Sequence, residues 1–328
     1  MYMESEFVER CKARGLDEAA IAKSVTVIKA LEDALSGSGS TLQEATLAGV
    51  EARIADLVKN DLCDEALLMA MARYFSVIGN DKIAIRVLAY LLPIGVLPAM
   101  AGRLRLIEGD DIADKVLDGM VFPPSGAPPG EYAASTKIFV EALVNGLGEE
   151  RTEKILTWNV HGIPVSAFMP EREKLQVLGS IDAWLKDYHT RQVAELARHA
   201  SDGTLWYEQK ITDAVVEFVK ANQEIQGGVR VGDTIYVTKI PYDPDAFLKE
   251  TDPLEKRRLA CHCPLAASTI VEGGAGVSAH WCACSAGYVK FMFDVAFGEE
   301  TKAKCVSSVL KGDALCRFAV RIPDSFLI

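Results

Sequence analysis

Apolar residues recur at helical spacing through the first third of the chain. Ile21, Val25, Ile28, Leu31 and Leu35 are three or four positions apart, which places them on one face of a helix. Comparable stripes follow farther along, and Gly, Asn or Pro residues interrupt them at intervals typical of helix ends. Residues 1–121 are therefore predicted to form an all-α domain of short helices joined by tight turns.

Local start and stop signals refine this prediction. Thr41 and Glu44 have the spacing of a capping box, Asp64 is a candidate N-cap, and a further helix is expected to start after Asp81 and to break at Pro93. The Ser- and Gly-rich segment 36–40 is predicted to be a flexible break between helices.

A proline-rich segment at residues 122–130 marks the best domain junction. Its four prolines and two glycines are incompatible with a helix or a central strand. We therefore expect two domains, an all-α domain over residues 1–121 and a second domain over residues 131–328.

The second domain begins with helical patterning and ends with strand patterning. Helices are predicted from Tyr132 to His199, interrupted by a loop at residues 158–164, and a strand is predicted from Thr234 to Ile240. Further strands are predicted over 257–263 and 278–284, then a helix from Ser285 to near Gly298, then a hairpin formed by 304–310 and 315–322. The expected fold class is α+β, in which the all-α helical domain precedes an α+β ligand-binding domain with an antiparallel sheet.

Charge and hydropathy narrow the functional classes. The net charge of −11 provides no basic surface for nucleic acid. The N-terminus has no apolar signal region, and the longest uncharged stretch, from Val87 to Gly102, is too short to span a bilayer and contains Pro93 and Pro98. We expect a cytoplasmic protein that binds neither nucleic acid nor membrane and whose cysteines are reduced.

Six of the eight cysteines lie between Cys261 and Cys316. Cys261 and Cys263 form one Cys-x-Cys pair, and Cys282 and Cys284 form another; on strands, each pair would face one side, about 7 Å apart. Thiolates so placed are able to share a zinc ion. The alternatives are buried thiols that only fill the core, a dithiol redox pair in which the helix start activates Cys284, and an iron–sulfur cluster.

The late cysteine motifs also carry a resemblance. The segment from Cys282 to Tyr288, the helix after it, and the segment from Cys305 to Phe318 resemble the C-terminal core of four-vinyl-reductase-type ligand-binding domains, which include phenol-sensing domains of bacterial regulators. They are also similar to the L-2-amino-thiazoline-4-carboxylic acid hydrolase family, which shares a late Gly-Asp-x-x-Cys-x-Phe hairpin. The motifs lie within residues 282–322, the likeness over 130–278 is one of general layout, and the N-terminal helices are not covered.

The resemblance implies a small-molecule pocket beside a zinc ion held by cysteines and a glutamate. The first and last ligand positions fall on Cys282 and Cys316. The glutamate position holds Cys305, and the middle cysteine position holds Ser308, which is a poor zinc ligand. A fourth ligand would then come from Cys284 or Cys263. The candidate metal ligands are therefore Cys263, Cys282, Cys284, Cys305 and Cys316.

Other residues are candidates for proton transfer or ligand contact. His161 lies in a loop flanked by Gly and Pro, Glu208 follows two aromatic residues, and His280 precedes Cys282; each is a candidate proton carrier. Trp206, Tyr236 and Tyr288 are candidate pocket residues, with ordinary core packing as the alternative. His262 is expected to face away from the flanking cysteines, because neighbouring strand residues point to opposite faces.

Three functional hypotheses follow from these residues. The first is a zinc-binding protein with a small-molecule pocket, acting as a hydrolase on a C–N or C–S bond if the ion keeps an open position. The second is a non-enzymatic ligand sensor or carrier with a structural zinc, whose helices relay the bound state to a partner or to a second copy in a homodimer. The third is a thiol redox or iron–sulfur protein. Walker, G-x-G-x-x-G, G-x-S-x-G and H-E-x-x-H patterns are absent from the sequence, which argues against nucleotide-driven and α/β-hydrolase chemistry.

Overall fold

The computed structural model describes residues 1–37, 39–271 and 276–327. Helices dominate, and the strands form a small antiparallel sheet, so the predicted α+β class is confirmed at this level. The chain divides into two compact units, one formed by residues 1–97 and 121–135 and the other by residues 98–120 and 136–328. The predicted break at 36–40 includes Ser38, which lies outside the described residues.

The first unit is built from amphipathic helices around one apolar core. Phe7, Ile28, Leu68 and Phe75 are fully buried within it. Its helices are α1 (Glu4–Ala13), α2 (Glu18–Ser36), α3 (Leu47–Lys59), α4 (Glu65–Val77) and α5 (Asp81–Leu91).

Local caps decide where these helices start. The Asp64 carboxylate accepts a hydrogen bond from the backbone N–H of Leu67 at 2.7 Å, which confirms the predicted N-cap of α4. The predicted helix start at Thr41 is wrong, because α3 begins after Thr46, whose hydroxyl accepts from the N–H of Gly49. Thr41 and Glu44 still bond to each other, within a turn.

Helices α6 (Val96–Glu108), α7 (Asp110–Val116) and α8 (Pro129–Leu147) follow α5 along the chain. The break predicted at Pro93 is confirmed, since α5 ends at Leu91 and α6 begins at Val96. By length and composition alone, one described helical stretch, Asp81–Glu108, is apolar enough to cross a membrane, and half of its most apolar window is buried inside the protein.

The second unit places its remaining helices around a four-stranded sheet. The helices are α9 (Glu149–Leu156), α10 (Met169–Leu178), α11 (Ile181–Asp202), α12 (Asp213–Lys220), α13 (Pro244–Lys249), α14 (Pro253–Ala260) and α15 (Ala283–Phe297). The strands are β1 (Val229–Val231), β2 (Thr234–Thr238), β3 (Lys302–Ser307) and β4 (Arg317–Arg321).

The strand order is β1-β2-β4-β3, and every neighbouring pair is antiparallel. The predicted strand after residue 233 and the predicted late hairpin are both confirmed. Ile235, Val237 and Val320 lie on the face that packs against Trp184 of α11 and Phe293 of α15. Because side chains alternate along a strand, Tyr236 lies on the opposite face of the sheet.

Two predicted strands are wrong. Residues 257–260 belong to α14, which starts where the Asp252 carboxylate caps the N–H of Glu255 just before the chain turns helical at Pro253. Residues 279–282 form a 3₁₀ turn that leads directly into α15, capped by Ser278. Neither Cys-x-Cys pair therefore has the strand geometry that was expected of it.

Candidate functional site

Among the described residues, four thiols from three separate segments line one small cavity, which we call the thiol cavity. Cys261 and Cys263 follow α14, Cys282 precedes α15, and Cys316 precedes β4. The cavity has a volume of about 20 Å³, which is room for one water-sized atom. Its other lining residues are Lys239, His262, Trp281, Ser285, Val309 and Leu310.

Backbone amides point at three of the four sulfurs. The N–H groups of Cys263, Leu265 and Val309 donate hydrogen bonds to the sulfurs of Cys261, Cys263 and Cys316, respectively. Hydrogen bonds of this kind stabilise the charged form of a thiol, because a thiolate is the better acceptor. The loops after α14 and before β4 are therefore shaped to receive negative charge on sulfur.

Burial opposes that effect of the hydrogen bonds. It raises the pKa of Cys263, raises the pKa of Cys261 well above its ordinary value, and raises the pKa of Cys316 to about 11. The Trp281 indole N–H donates to the sulfur of Cys263 at 3.3 Å. The thiols are thus protonated at neutral pH, and a metal ion would have to displace their protons.

Cys282 lines the cavity and also contacts two residues outside its lining, Cys305 and Ser308. Its thiol is hydrogen-bonded to Cys305, and this contact and burial together raise its pKa well above the ordinary value, whereas a hydrogen bond with Ser308 lowers it. The Cys305 thiol donates to the carbonyl of Ser307 at 3.3 Å. Cys305 does not line the cavity.

Cys284 is buried in the first turn of α15 and also lies outside the cavity lining. Burial raises its pKa well above that of an ordinary thiol. Burial therefore opposes the predicted activation of this thiol by the helix start. Within the described part of the chain, His, Cys, Asp and Glu side chains form no group of three or more arranged to hold a metal ion as they stand.

His262 is placed differently from the prediction. It lines the thiol cavity together with the cysteines on either side of it. This is possible because the three residues do not form a strand, so their side chains do not alternate between two faces. Its Nε2 donates to the carbonyl of Ile240 at 2.5 Å. Burial, followed by the charge of Lys239, lowers its pKa to about 3, so the ring is neutral. Cys261 and His262 were not among the predicted ligands, and the Cys-x-Cys spacing was their only sequence signal.

Lys239 joins the thiol cavity to a second group of polar side chains. Its backbone N–H donates to the carbonyl of Cys316 at 3.0 Å, just beyond the last paired residues of β2 and β4. Its side chain lines the cavity, and its Nζ lies 5.2 Å from the centre of the Tyr288 ring. In the described residues, no carboxylate lies within ion-pair distance of this ammonium group.

The second group, which we call the tyrosine cluster, consists of His161, Tyr188, Tyr207, Glu208 and Tyr288. The rings of His161 and Tyr288 meet edge to face with centres 5.9 Å apart. Loss of water around these groups raises the pKa of Tyr188, Tyr288 and Glu208. The Tyr207 hydroxyl adds to this rise at Tyr188 and Tyr288, and Glu208 adds to it at Tyr288. Burial and then Lys239 lower the pKa of His161, which is therefore neutral at neutral pH.

A close backbone approach brings His161 to Tyr288. A Cβ atom added to Gly287 on α15 would lie 2.2 Å from the backbone nitrogen of Trp158. Only glycine leaves the 157–164 loop room to lie directly on the helix. Asn159 closes that loop, since its side chain exchanges hydrogen bonds of 2.8 and 3.1 Å with the backbone of Ile163.

A strained tight turn presents Tyr207 and Glu208. Trp206 and Gln209 exchange two backbone hydrogen bonds of 2.9 Å, and Tyr207 between them has a φ of 54°. A positive φ is unfavourable for a bulky residue and is often found at functional sites. The Gln209 side chain donates to the carbonyl of Pro241 at 2.9 Å and fixes the turn beside the chain that follows β2.

The remaining predicted site residues lie apart from the tyrosine cluster or at its edge. His280 is 3.6 Å from the carboxylate of Glu149 and does not line the thiol cavity. Tyr236 lies under the guanidinium of Arg317, at 4.1 Å from its ring centre, on the other face of the sheet. Trp206 packs against Tyr207, with ring centres 5.0 Å apart. No protein-family model, curated protein sequence or solved structure matches the chain.

Proposed function

We propose that the second unit binds a zinc ion in the thiol cavity through Cys261, Cys263, Cys282 and Cys316. The observation that carries this proposal is the convergence of four thiols from three segments around space for a single atom. Sulfur is the donor that zinc prefers in closed structural sites, where four ligands surround the ion. The thiol rotamers must change for the sulfurs to reach an ion, since they are not arranged for coordination as they stand.

The hydrogen bonds around the sulfurs support the same proposal. Backbone N–H groups already point at Cys261, Cys263 and Cys316, and they would remain in place as outer partners of bound thiolates. Core thiols that only fill space do not need such donors, because a protonated thiol is a weak acceptor.

The size of the cavity favours a closed site over hydrolysis at the metal. Substrate pockets are typically on the order of 300–1,000 Å³, whereas this cavity holds about 20 Å³. A four-sulfur ion enclosed there would join the loop after α14, the start of α15 and the chain before β4. We therefore favour the role of a ligand-binding sensor or carrier with a structural zinc over that of a zinc hydrolase.

The contacts of Cys282 are compatible with the four-vinyl-reductase-type resemblance. Its thiol bonds to Cys305 and Ser308, the two residues at the glutamate and middle-cysteine positions of the sensors. In the proposed set, Cys261 and Cys263 replace those two positions as ligands. The small-molecule site of such a domain would then lie beside the ion, on the side of Lys239.

Elemental analysis of the purified full chain tests the ligand set. We expect about one zinc per chain, and its loss in Cys261→Ser, Cys282→Ser and Cys316→Ser. Cys284→Ser is the matched control, because this thiol is equally buried and lies close by but does not line the cavity. Cobalt substitution would then count the sulfur ligands from the intensity of thiolate-to-cobalt absorption.

Two results would count against this assignment. Protein that remains metal-free after growth and refolding in zinc would remove the site altogether. Loss of zinc in Cys305→Ser with retention in Cys261→Ser would replace the proposed ligands with the set implied by the resemblance. Circular dichroism of each variant separates loss of the ion from loss of the fold.

A further inference from the structure

Lys239 is a half-buried cation without an acidic partner in the described part of the chain. Long charged side chains are rarely withdrawn from water unless an opposite charge compensates them. The compensation within the described chain is the face of the Tyr288 ring, 5.2 Å from Nζ. Such a contact contributes less than a direct ion pair with a well-placed anion. The ammonium group therefore retains the capacity to bind an anion.

The surroundings of Lys239 offer aromatic surface that is open to solvent. Tyr288 is 43% exposed and Tyr207 is 79% exposed, although both rings belong to a cluster with Tyr188 and His161. Exposed aromatic side chains grouped in this way commonly mark binding surfaces. The strained turn at Tyr207 keeps one of these rings on the surface instead of folding it into the core.

We propose that Lys239 and the tyrosine cluster form a binding site for a small aromatic carboxylate. The carboxylate of the ligand pairs with the Lys239 ammonium, and the ligand ring packs against Tyr288 and Tyr207. The Glu208 carboxyl, which has no cationic partner in the described residues, accepts a hydrogen bond from a hydroxyl or amino group on the ligand ring. The site uses none of the proposed metal ligands as contacts, but it adjoins them, because Lys239 also lines the thiol cavity.

The charge balance favours a carboxylate over a phosphate. Lys239 supplies one positive charge, and the neighbouring His161 is neutral at neutral pH. A doubly charged anion would remain uncompensated beside Glu208, whereas a carboxylate matches the single ammonium group.

Calorimetric titration of the full chain with benzoate, 4-hydroxybenzoate and indole-3-acetate tests the proposal. Each acid is compared with its neutral amide, which has nearly the same shape. We expect at least one acid to bind at least about tenfold more tightly than its amide, since a charge-assisted contact is lost in the amide. Lys239→Met should remove that preference, and Lys239→Arg should retain it. Lys304→Met is the matched control, because Lys304 is exposed on strand β3.

Equal binding of acids and amides, binding of none of the three acids, or an unchanged preference in Lys239→Met would overturn the proposal. Glu208→Gln should weaken 4-hydroxybenzoate more than benzoate. Zinc content is measured in Lys239→Met as well. Lys239→Met protein that keeps its zinc but loses acid binding supports this inference, whichever residues hold the ion. Loss of acid binding that is also seen in Lys304→Met counts against it.

Discussion

Substitution of Gly287 by alanine is expected to destabilise the second unit. The new methyl group would lie 2.2 and 2.4 Å from the backbone nitrogen and oxygen of Trp158, and neither atom is able to rotate away. Overpacking of this kind costs typically about 1–3 kcal/mol, and contact with backbone belongs at the upper end. Alanine recovers about 1 kcal/mol of helix propensity. The net loss should therefore be about 2 kcal/mol.

Gly102→Ala is the matched control. Gly102 is also inside a helix, α6, and a Cβ there would meet nothing within 4 Å. This variant should gain about 0.5–1 kcal/mol. Urea unfolding followed by tryptophan fluorescence measures both, and a loss of 2 kcal/mol should lower the melting temperature by roughly 4–8 °C in a unit of this size.

The outcome also reports on the placement of His161. If the 157–164 loop is displaced, the edge-to-face contact between His161 and Tyr288 is lost in the alanine variant, and the histidine NMR shifts of the two proteins should differ. Equal stability of Gly287→Ala and Gly102→Ala would refute the close approach of this loop to α15.

Three further predictions concern stability. Asp64→Ala removes the N-cap of α4 and should cost about 1 kcal/mol in urea unfolding, whereas Asp64→Asn should retain most of the stability. Hydrogen bonds from Arg317 lower the pKa of Glu224, so this pair stabilises the fold above about pH 4.5, and the stabilisation is lost as the pH falls through the folded pKa. The free energy of unfolding between about pH 3 and 7 should therefore depend less on pH in Glu224→Gln. Asp294→Ala leaves the buried Lys290 without its closest partner and should cost about 3 kcal/mol or more, part of which Lys290→Met should restore in the double variant.

Local sequence signals predicted the helices and strands whose formation depends on residues close in sequence. The stripe from Ile21 to Leu35, the cap at Asp64 and the alternation after residue 233 each describe one element, and the structure contains a helix, a helix start and a strand at those positions. The strand predictions for 257–263 and 278–284 were wrong because Asp252 and Ser278 initiate helical turns there. These caps outweigh a short apolar pattern.

The candidate site could be located from the sequence but not assembled from it. The crowding of cysteines pointed to Cys263, Cys282 and Cys316, which the structure brings to one cavity, but on turns and loops instead of strands. Lys239 carries no motif, and its position between the thiols and Tyr288 follows only from the pairing of distant segments. The sequence offered Glu208 and His161 as proton carriers, and the structure places both near Tyr288, whereas Tyr236 shares a strand with Ile235 but faces the other way.

The pairing of β2 with β4 has a consequence for the order of folding. It joins residues 234–238 to residues 317–321, so its formation requires closure of a long loop that contains all six cysteines of the second unit. The hydrogen bond from Lys239 to Cys316 extends that pairing by one step. Closure of the sheet therefore brings the last thiol and the lysine into place together, so the kinetics of refolding and the recovery of both proposed sites should share one slow phase.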